Sequence, residues 1–339
     1  MRILVTGGCG FIASNFIRFL YKAMPDVFVV NVDLLTYAGN PASVRDVAEK
    51  YAGAYAFVQA DIADKDAMQA LFKQYSFDAI VNFAAESHVD RSIHDPTPFL
   101  RTNITGTQTL LTLAKAFDVA KFLHVSTDEV YGTLGPTGKF TESTPIAPNS
   151  PYSASKASAD LFCRAWYETY GYPVVITRCS NNYGPYQFPE KLIPLMYIKA
   201  RNAEALPVYG DGTNVRDWIH VEDHCNGVWL ALTRGTPGKV YNLGGDAERT
   251  NMQVVTSILD YCNKPHSLIR HVTDRPGHDK RYAMDFSLAQ KELGFVPAWT
   301  FEKGLEQTLN WYANNQQWVG DVTSGAYREF AKLWYGGRQ

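Results

Sequence analysis

The sequence has no run approaching the ~20 consecutive apolar residues that a membrane-spanning helix needs, so no transmembrane segment is expected. It also lacks a C-x-x-C pair. Its five cysteines, Cys9, Cys163, Cys179, Cys225 and Cys262, are odd in number and irregularly spaced. That argues against a disulfide framework and for reduced thiols in a cytoplasmic protein. The first residues, Met1-Arg2-Ile3-Leu4-Val5-Thr6, enter a strand-like run at once, so no signal peptide is expected. Charge of one sign is missing too: Lys plus Arg is 32, Asp plus Glu is 34, and the formal net charge is −2. Without basic runs interleaved with aromatics, a nucleic-acid partner is not expected. Internal repeats and flexible linkers are also lacking.

What is present is a globular composition. The 339 residues are 46% hydrophobic and 19% charged, enough for a sizeable core and about two domains. The first half alternates short β-rich runs (Ile3–Thr6, Val27–Val32, Tyr55–Gln59, Ala79–Phe83, Phe122–Val125) with helical patterns. The helical patterns fall at Phe11–Lys22, Pro41–Glu49, Lys65–Gln74 and Thr102–Phe117. Strands alternating with helices of this length predict a doubly wound α/β fold with a parallel sheet. After about Pro185 prolines and glycines break the rhythm, which suggests a smaller C-terminal α/β region. Val174–Arg178 and Val215–Val221 read as strands able to return to the main sheet, Val240–Leu243 as a later strand, and Val319–Gln339 as a docking helix. The expected division is 1–185, with returning segments near 215–245, and 186–339.

Between the first strand and helix lies Gly7-Gly8-Cys9-Gly10-Phe11-Ile12-Ala13, which from Gly8 reads G-x-G-x-x-A. Such a loop gives a tight turn, close backbone approach to a pyrophosphate, and helix N–H groups for the anion. Asp33 ends the second strand, 23 residues beyond Gly10, where a carboxylate accepts from an adenosine ribose and repels a 2′-phosphate. NAD is therefore favoured over NADP. Asp61-Ile62 at the third strand's end suits an adenine contact, although acidic residues after strands also serve as simple helix caps.

Pro151-Tyr152-Ser153-Ala154-Ser155-Lys156 contains Y-x-x-x-K, whose i, i+4 spacing puts Tyr152 and Lys156 on one helical face. A neighbouring ammonium is expected to lower the Tyr152 pKa, so that it can take a proton from a sugar hydroxyl. The fifth strand runs into Ser126-Thr127-Asp128-Glu129-Val130-Tyr131-Gly132, at the end of the strand where parallel sheets bind ligands. His220-x-x-x-His224 has no third ligand at suitable spacing, so no metal site is expected.

With the glycine loop, Asp33, Ser126-Thr127 and Tyr152/Lys156, the chain resembles the extended short-chain dehydrogenase/reductases and their Rossmann-like fold. Longer blocks bring it close to the nucleotide-sugar 4,6-dehydratases of that family: Asn82–Ser92, Ser126–Gly132, Ser150–Ala157, Arg178–Pro194, Tyr209–His224 and Asp274–Tyr282. The resemblance implies that Thr127, Tyr152 and Lys156 serve oxidation at C4 of a nucleotide-diphosphate glucose, with a thymidine nucleotide expected. It further implies that Glu129 removes the C5 proton, that Asp128 protonates the departing C6 hydroxyl, and that hydride then returns to C6. One carboxyl must then be acid and its neighbour base. NAD would be recycled and stay tightly bound, and the product would be a 4-keto-6-deoxy sugar in deoxysugar biosynthesis.

The matched blocks also imply binding residues. Gly7, Gly10, Phe11, Ile12, Asp33, Leu34, Leu35, Thr36, Asp61, Ile62, Phe83, Ala84, Ala85, Ser87, Thr102, Tyr152, Lys156 and Asn182 would surround NAD. Ser87, Thr127, Asn181, Glu190, Lys191, Leu192, Pro207, Val208, Tyr209, Arg216, Asn251, Asp274, Arg275, Pro276, Gly277 and His278 would surround the nucleotide sugar. Among them the cations Lys191, Arg216 and Arg275 suit a diphosphate. A homodimer is the family expectation, through Thr102–Phe117 and Ser155–Tyr170. The sequence departs from the family at Ala13, usually a third glycine, and at Cys9, commonly alanine. The competing readings are a UDP-glucose 4,6-dehydratase, a nucleotide-sugar 4-epimerase and a catalytically silent NAD-binding scaffold. Asp128-Glu129 disfavours the epimerase, and intact Thr127, Tyr152 and Lys156 disfavour the scaffold.

Overall fold

The computed structural model describes residues 1–274 and 277–323. Seven strands build one parallel sheet: β1 (Arg2–Thr6), β2 (Phe28–Asp33), β3 (Tyr55–Gln59), β4 (Ala79–Asn82), β5 (Lys121–Thr127), β6 (Val174–Cys179) and, later in the chain, Val240–Leu243. Their spatial order is Val240–Leu243, β6, β5, β4, β1, β2, β3, so the winding reverses between β1 and β4. In such a sheet the crevice opens beyond the strand ends at that reversal. Thr6 pairs with Val32 on one side and Asn82 on the other, which puts the glycine loop at its centre.

The strands form because they are buried on both faces: β1, β2, β4, β5 and β6 are almost continuous Val, Ile, Leu and Phe. One face packs with Phe16, Ile17, Leu20, Val228 and Phe295, the other with Met68, Leu71, Phe72, Leu110 and Cys163. Helices Phe11–Ala23 and Lys65–Gln74 lie where amphipathic spacing predicts them. The expected Thr102–Phe117 helix instead begins as π-helical turns, Leu100–Gly106, and becomes α-helical over Thr107–Ala116.

The smaller region has its own strands, β7 (Asn181–Tyr183), β8 (Leu206–Tyr209), β9 (Val215–His220), β11 (Glu248–Thr250) and β12 (Ile269–Val272), while β10 is the Val240–Leu243 strand of the main sheet. The expectation for 215–221 needs correction. β9 does not return to the main sheet but sits between β11 and β7 in a three-stranded sheet. What returns is helix Val221–Arg234, which packs on the main sheet, followed by β10 at its edge. A second core of Tyr197, Trp218, Val254, Ile258, Leu309 and Tyr312 joins helices Leu192–Arg201, Asn251–Tyr261 and Phe301–Asn314. Of the expected C-terminal helix Val319–Gln339, residues 319–322 are helical as the end of helix Gln316–Val322, Thr323 is in a turn, and 324–339 lie outside the described residues.

Candidate active site

Gly7 makes the first turn of the loop at φ +69°, and its N–H donates to Val32 O at 2.7 Å. A Cβ here would sit 2.8 Å from Ala84 Cα, so only glycine lets β1 and the β4 loop approach this closely. Gly10 caps helix Phe11–Ala23 without any side-chain hydrogen bond, which leaves the first-turn N–H groups facing the cleft. Asp33 ties the loop to β2, accepting from Cys9 N at 2.9 Å and from Leu35 N at 2.8 Å. Burial raises the Asp33 pKa, and these two N–H groups oppose the rise. Cys9 and Ala13 are buried, and burial with nearby Asp33 pushes the Cys9 thiol up to about 12, so it is an inert packing residue.

The cleft beyond this loop brings together Gly7, Gly10, Phe11, Ile12, Asp33, Leu34, Thr36, Asp61, Ile62, Phe83, Ala84, Ala85, Ser87, Thr102, Thr127, Asp128, Glu129, Tyr152, Lys156, Asn181 and Asn182. Leu35 is the exception: its left-handed backbone turns it away, against the core. Sequence reasoning missed Cys179, Ser180, Gln187 and Phe188 as cleft residues. Cys179 could have been found, since it ends a strand of the main sheet.

Helix Pro151–Tyr170 presents Tyr152 and Lys156. Ser150 and Ser153 form a capping box, Pro151 occupies the first turn, and Gly171 ends the helix in the left-handed region. Its buried face carries Tyr152, Ser155, Lys156, Asp160 and Cys163. The expected lowering of the Tyr152 pKa is overturned. Burial, and then the Glu129 charge, raise it well above the usual phenol value, while a hydrogen bond with Thr127 opposes this. Lys156 Nζ donates to Val125 O at 2.8 Å, and burial lowers its own pKa.

Asp128 and Glu129 follow β5 in a short 3₁₀ turn. Thr127 Oγ1 donates to Asp128 Oδ1 at 3.3 Å and accepts from Glu129 N at 3.3 Å. Asp128 is buried while Glu129 is half-buried. Burial, then the charges of Glu129 and Asp217, hold the Asp128 pKa well above the carboxylate range. That rise favours the protonated form of Asp128, which acid–base work by adjacent carboxyls requires of one member of the pair.

An adjoining cavity continues from Glu129, Asn181, Glu190 and Lys191 to Leu192, Pro207, Val208, Tyr209, Arg216, Asn251 and His278. His88, Asp90, Met196 and Trp218 also line it and were not anticipated. Lys191 donates to Ser87 O at 2.9 Å. The Arg216 guanidinium lies 4.3 Å over the Tyr282 ring and donates to Asp279 O at 2.9 Å. Tyr37 donates to buried Glu190 at 2.9 Å, and burial pushes the Glu190 carboxyl up to about 7. Asp274 does not line this cavity but is exposed and paired with His278 at 2.6 Å, and Gly277 turns at φ +65°. Arg275 and Pro276 lie outside the described residues. His220 meets Gln307 and His224 meets Asn182, and among the described residues no group of three or more candidate ligands could hold a metal ion.

Several buried polar atoms of the two cavities have no hydrogen-bond partner among the described residues: Ser126 Oγ, Asp128 Oδ2, Ser180 Oγ, Asn181 Oδ1, Gln187 Oε1 and Glu190 Oε2. Buried polar atoms are rarely left so, and their clustering in one cleft is what a polar ligand would satisfy.

The family model described as GDP-mannose 4,6 dehydratase matches residues 4–308. The chain belongs to this family, within the extended short-chain dehydrogenase/reductases. More particularly, it is 52% identical to a dTDP-glucose 4,6-dehydratase of Xanthomonas campestris pv. campestris, over 96% of this chain and 97% of that one. A crystal structure of dTDP-glucose 4,6-dehydratase from Bacillus anthracis in complex with NAD matches with TM-score 0.88 and 48% identity, covering 95% of this chain and 99% of that one. The same enzyme from Streptomyces venezuelae, with NAD bound, matches with TM-score 0.91 and 48% identity, covering 95% and 100%.

Proposed function

We infer that the protein is an NAD-dependent hydro-lyase that converts dTDP-glucose to the 4-keto-6-deoxy sugar, in deoxysugar biosynthesis. The observation that carries this reading is the buried Asp128 beside half-buried Glu129, set in one cleft with Tyr152 and Lys156. An epimerase has no use for an acid–base pair that expels water across C5–C6.

The cleft fits NAD. Gly7 and Gly8 leave no room for side chains, the helix start offers unpaired N–H groups, and Asp33 sits at the end of β2. When bound, NAD would supply a cationic ring able to accept a hydride from C4 and, reduced, to give one to C6. Tyr152 receives the C4 hydroxyl proton as the phenolate, the form left once its own proton has passed through Thr127 to Asp128. The 4-ketone acidifies C5–H, which Glu129 removes. Asp128 gives its proton to the C6 hydroxyl, which leaves as water. Glu129 returns its proton to C5 as C6 is reduced. The proton gained by Tyr152 balances the one lost by Asp128, and Thr127, hydrogen-bonded to both, bridges them. Lys191 and Arg216 hold the diphosphate, joined by Arg275.

In this reading residues 1–185 with returning segments 221–243 form the NAD-binding part, and 186–339 mainly the sugar-nucleotide part. A homodimer is supported by exposed Leu161, Phe162 and Tyr170 on helix Pro151–Tyr170, and by Leu100 at the start of the π-helical turns. Free cysteines, four of them buried, support a reducing cytoplasm. No helix of the described residues is long and apolar enough to cross a membrane. The test is to assay 4-keto sugar formation from dTDP-glucose and UDP-glucose side by side. Turnover of dTDP-glucose is expected, and an epimerised or unchanged sugar would refute the reading.

A further inference from the structure

Behind the cleft, a chain of buried polar groups leads from the β4 loop to Lys156 and takes part in none of the steps above. Ala84 N donates to Thr6 Oγ1 at 3.1 Å, and Thr6 Oγ1 donates to Asn82 Oδ1 at 2.7 Å. The single proton of the Thr6 hydroxyl goes to Asn82 Oδ1, and this orients the Asn82 amide. Asn82 Nδ2 therefore donates to Thr107 Oγ1 at 3.1 Å and to His124 Nδ1 at 3.2 Å. An accepting Nδ1 leaves the proton of a neutral ring on Nε2. Burial, and then the Lys156 and Arg178 cations, keep that ring neutral.

His124 Nε2 lies 3.5 Å from Lys156 Nζ and 3.7 Å from Asp160 Oδ1. Asp160 Oδ2 is engaged with Arg178 Nε at 2.8 Å, whereas Oδ1 has no hydrogen bond among the described residues. Lys156 and Asp160 are one helical turn apart on the same buried face, where opposite charges attract strongly. The imidazole edge stands between them. Nζ instead reaches Val125 O on the cleft wall, at 2.8 Å. The other groups acting on Lys156 are Cys163 of its own helix and Cys179 of β6.

We propose that His124 is a positioning residue for the oxidation step: its Nε2–H fills the approach to Asp160 Oδ1 and so keeps Lys156 Nζ on the cleft side. Without that N–H, Lys156 and Asp160 close into a buried i, i+4 ion pair, and Nζ moves away from Val125. This inference rests on the reading in the preceding section. That reading fails if the unmodified protein does not reduce its bound NAD on adding dTDP-glucose. The inference fails on the variants alone.

The experiment compares the NAD-loaded protein with His124→Leu and His124→Gln, the Gln amide being able to donate to Asp160. Single-turnover absorbance at 340 nm reads reduced cofactor, steady-state assays separate kcat from KM, and kcat is followed from pH 5 to 9. His124→Leu should slow cofactor reduction by about 10²-fold, as expected for a displaced reacting group, with little change in KM. His124→Gln should recover most of that rate and keep the pH profile of the unmodified protein, since a ring that stays neutral contributes no ionisation. A folded His124→Leu variant with a normal rate overturns the proposal, as does a loss in His124→Gln equal to that in His124→Leu. Should His124→Leu not fold, the pH profile of His124→Gln decides. An unchanged profile supports the proposal, and the disappearance of an ionisation near neutral pH overturns it.

Discussion

The Thr127 hydroxyl donates to Asp128 Oδ1 and accepts from the Glu129 backbone N–H, both at 3.3 Å, so one side chain orients the turn that carries both carboxyls. Asp128 ends up buried and Glu129 half-buried. In the proposed function, that difference in depth makes Asp128 the acid and Glu129 the base.

Glu129→Gln should therefore leave C4 oxidation intact and stop elimination. The variant should accumulate reduced cofactor on mixing with dTDP-glucose, while 4-keto-6-deoxy product forms about 10²–10⁴ times more slowly. Stopped-flow absorbance at 340 nm, with quenched product analysis, checks both halves. Unchanged product formation would remove Glu129 from the role of C5 base.

Tyr152→Phe should suppress the step before it. Without a group to take the C4 hydroxyl proton, cofactor reduction itself should fall by about 10²–10⁴-fold. The same stopped-flow trace reads this directly.

Glu190 offers a test in stability. Its carboxyl is raised by burial to about 7 while the unfolded chain keeps an ordinary value, so the unfolded state releases its proton first. The sign follows: Glu190 penalises the folded state increasingly as pH rises from about 4.5 to about 7, and the penalty is complete above that. Glu190→Gln should thus lose less stability than the unmodified protein between pH 5 and 8, by about 2 kcal/mol. Denaturant unfolding at the two pH values measures the difference.

The glycine loop predicts a contrast between two substitutions. Gly7→Ala puts a methyl against Ala84 Cα at a left-handed φ and should cost about 1–3 kcal/mol together with loss of bound NAD. Gly53→Ala, where nothing lies within 4 Å of the added carbon, should change neither. Thermal unfolding and the NAD content of the purified protein report both effects.

Much of this site was legible in the sequence because its signals are local. The glycine loop, Asp33, Thr127-Asp128-Glu129 and the Tyr152/Lys156 pair are each a few residues long, and each sits at the C-terminal end of a strand or at a helix start. The doubly wound sheet was legible for the same reason, through its alternating periods. What escaped depends on tertiary partners. β9 reads as a buried strand, but nothing in its own residues says that it pairs with β7 and β11 rather than with β6. The π-helical turns at Leu100–Gly106 arise where Asn103 holds Glu86 through both its N–H and its C=O and reaches Ser155 Oγ, contacts 17 and 52 residues away. The Tyr152 pKa went the opposite way to the Y-x-x-x-K argument because spacing puts Lys156 on the right face but does not show the burial and the Glu129 charge that raise it.

The most direct test of the account follows one atom. dTDP-glucose deuterated at C4 is converted in ordinary water, and the product is read by NMR and mass spectrometry. If hydride leaves C4, is held within the site and returns to C6 after elimination, deuterium appears at C6. Deuterium lost to the medium, or retained at C4 of an epimerised sugar, would contradict it.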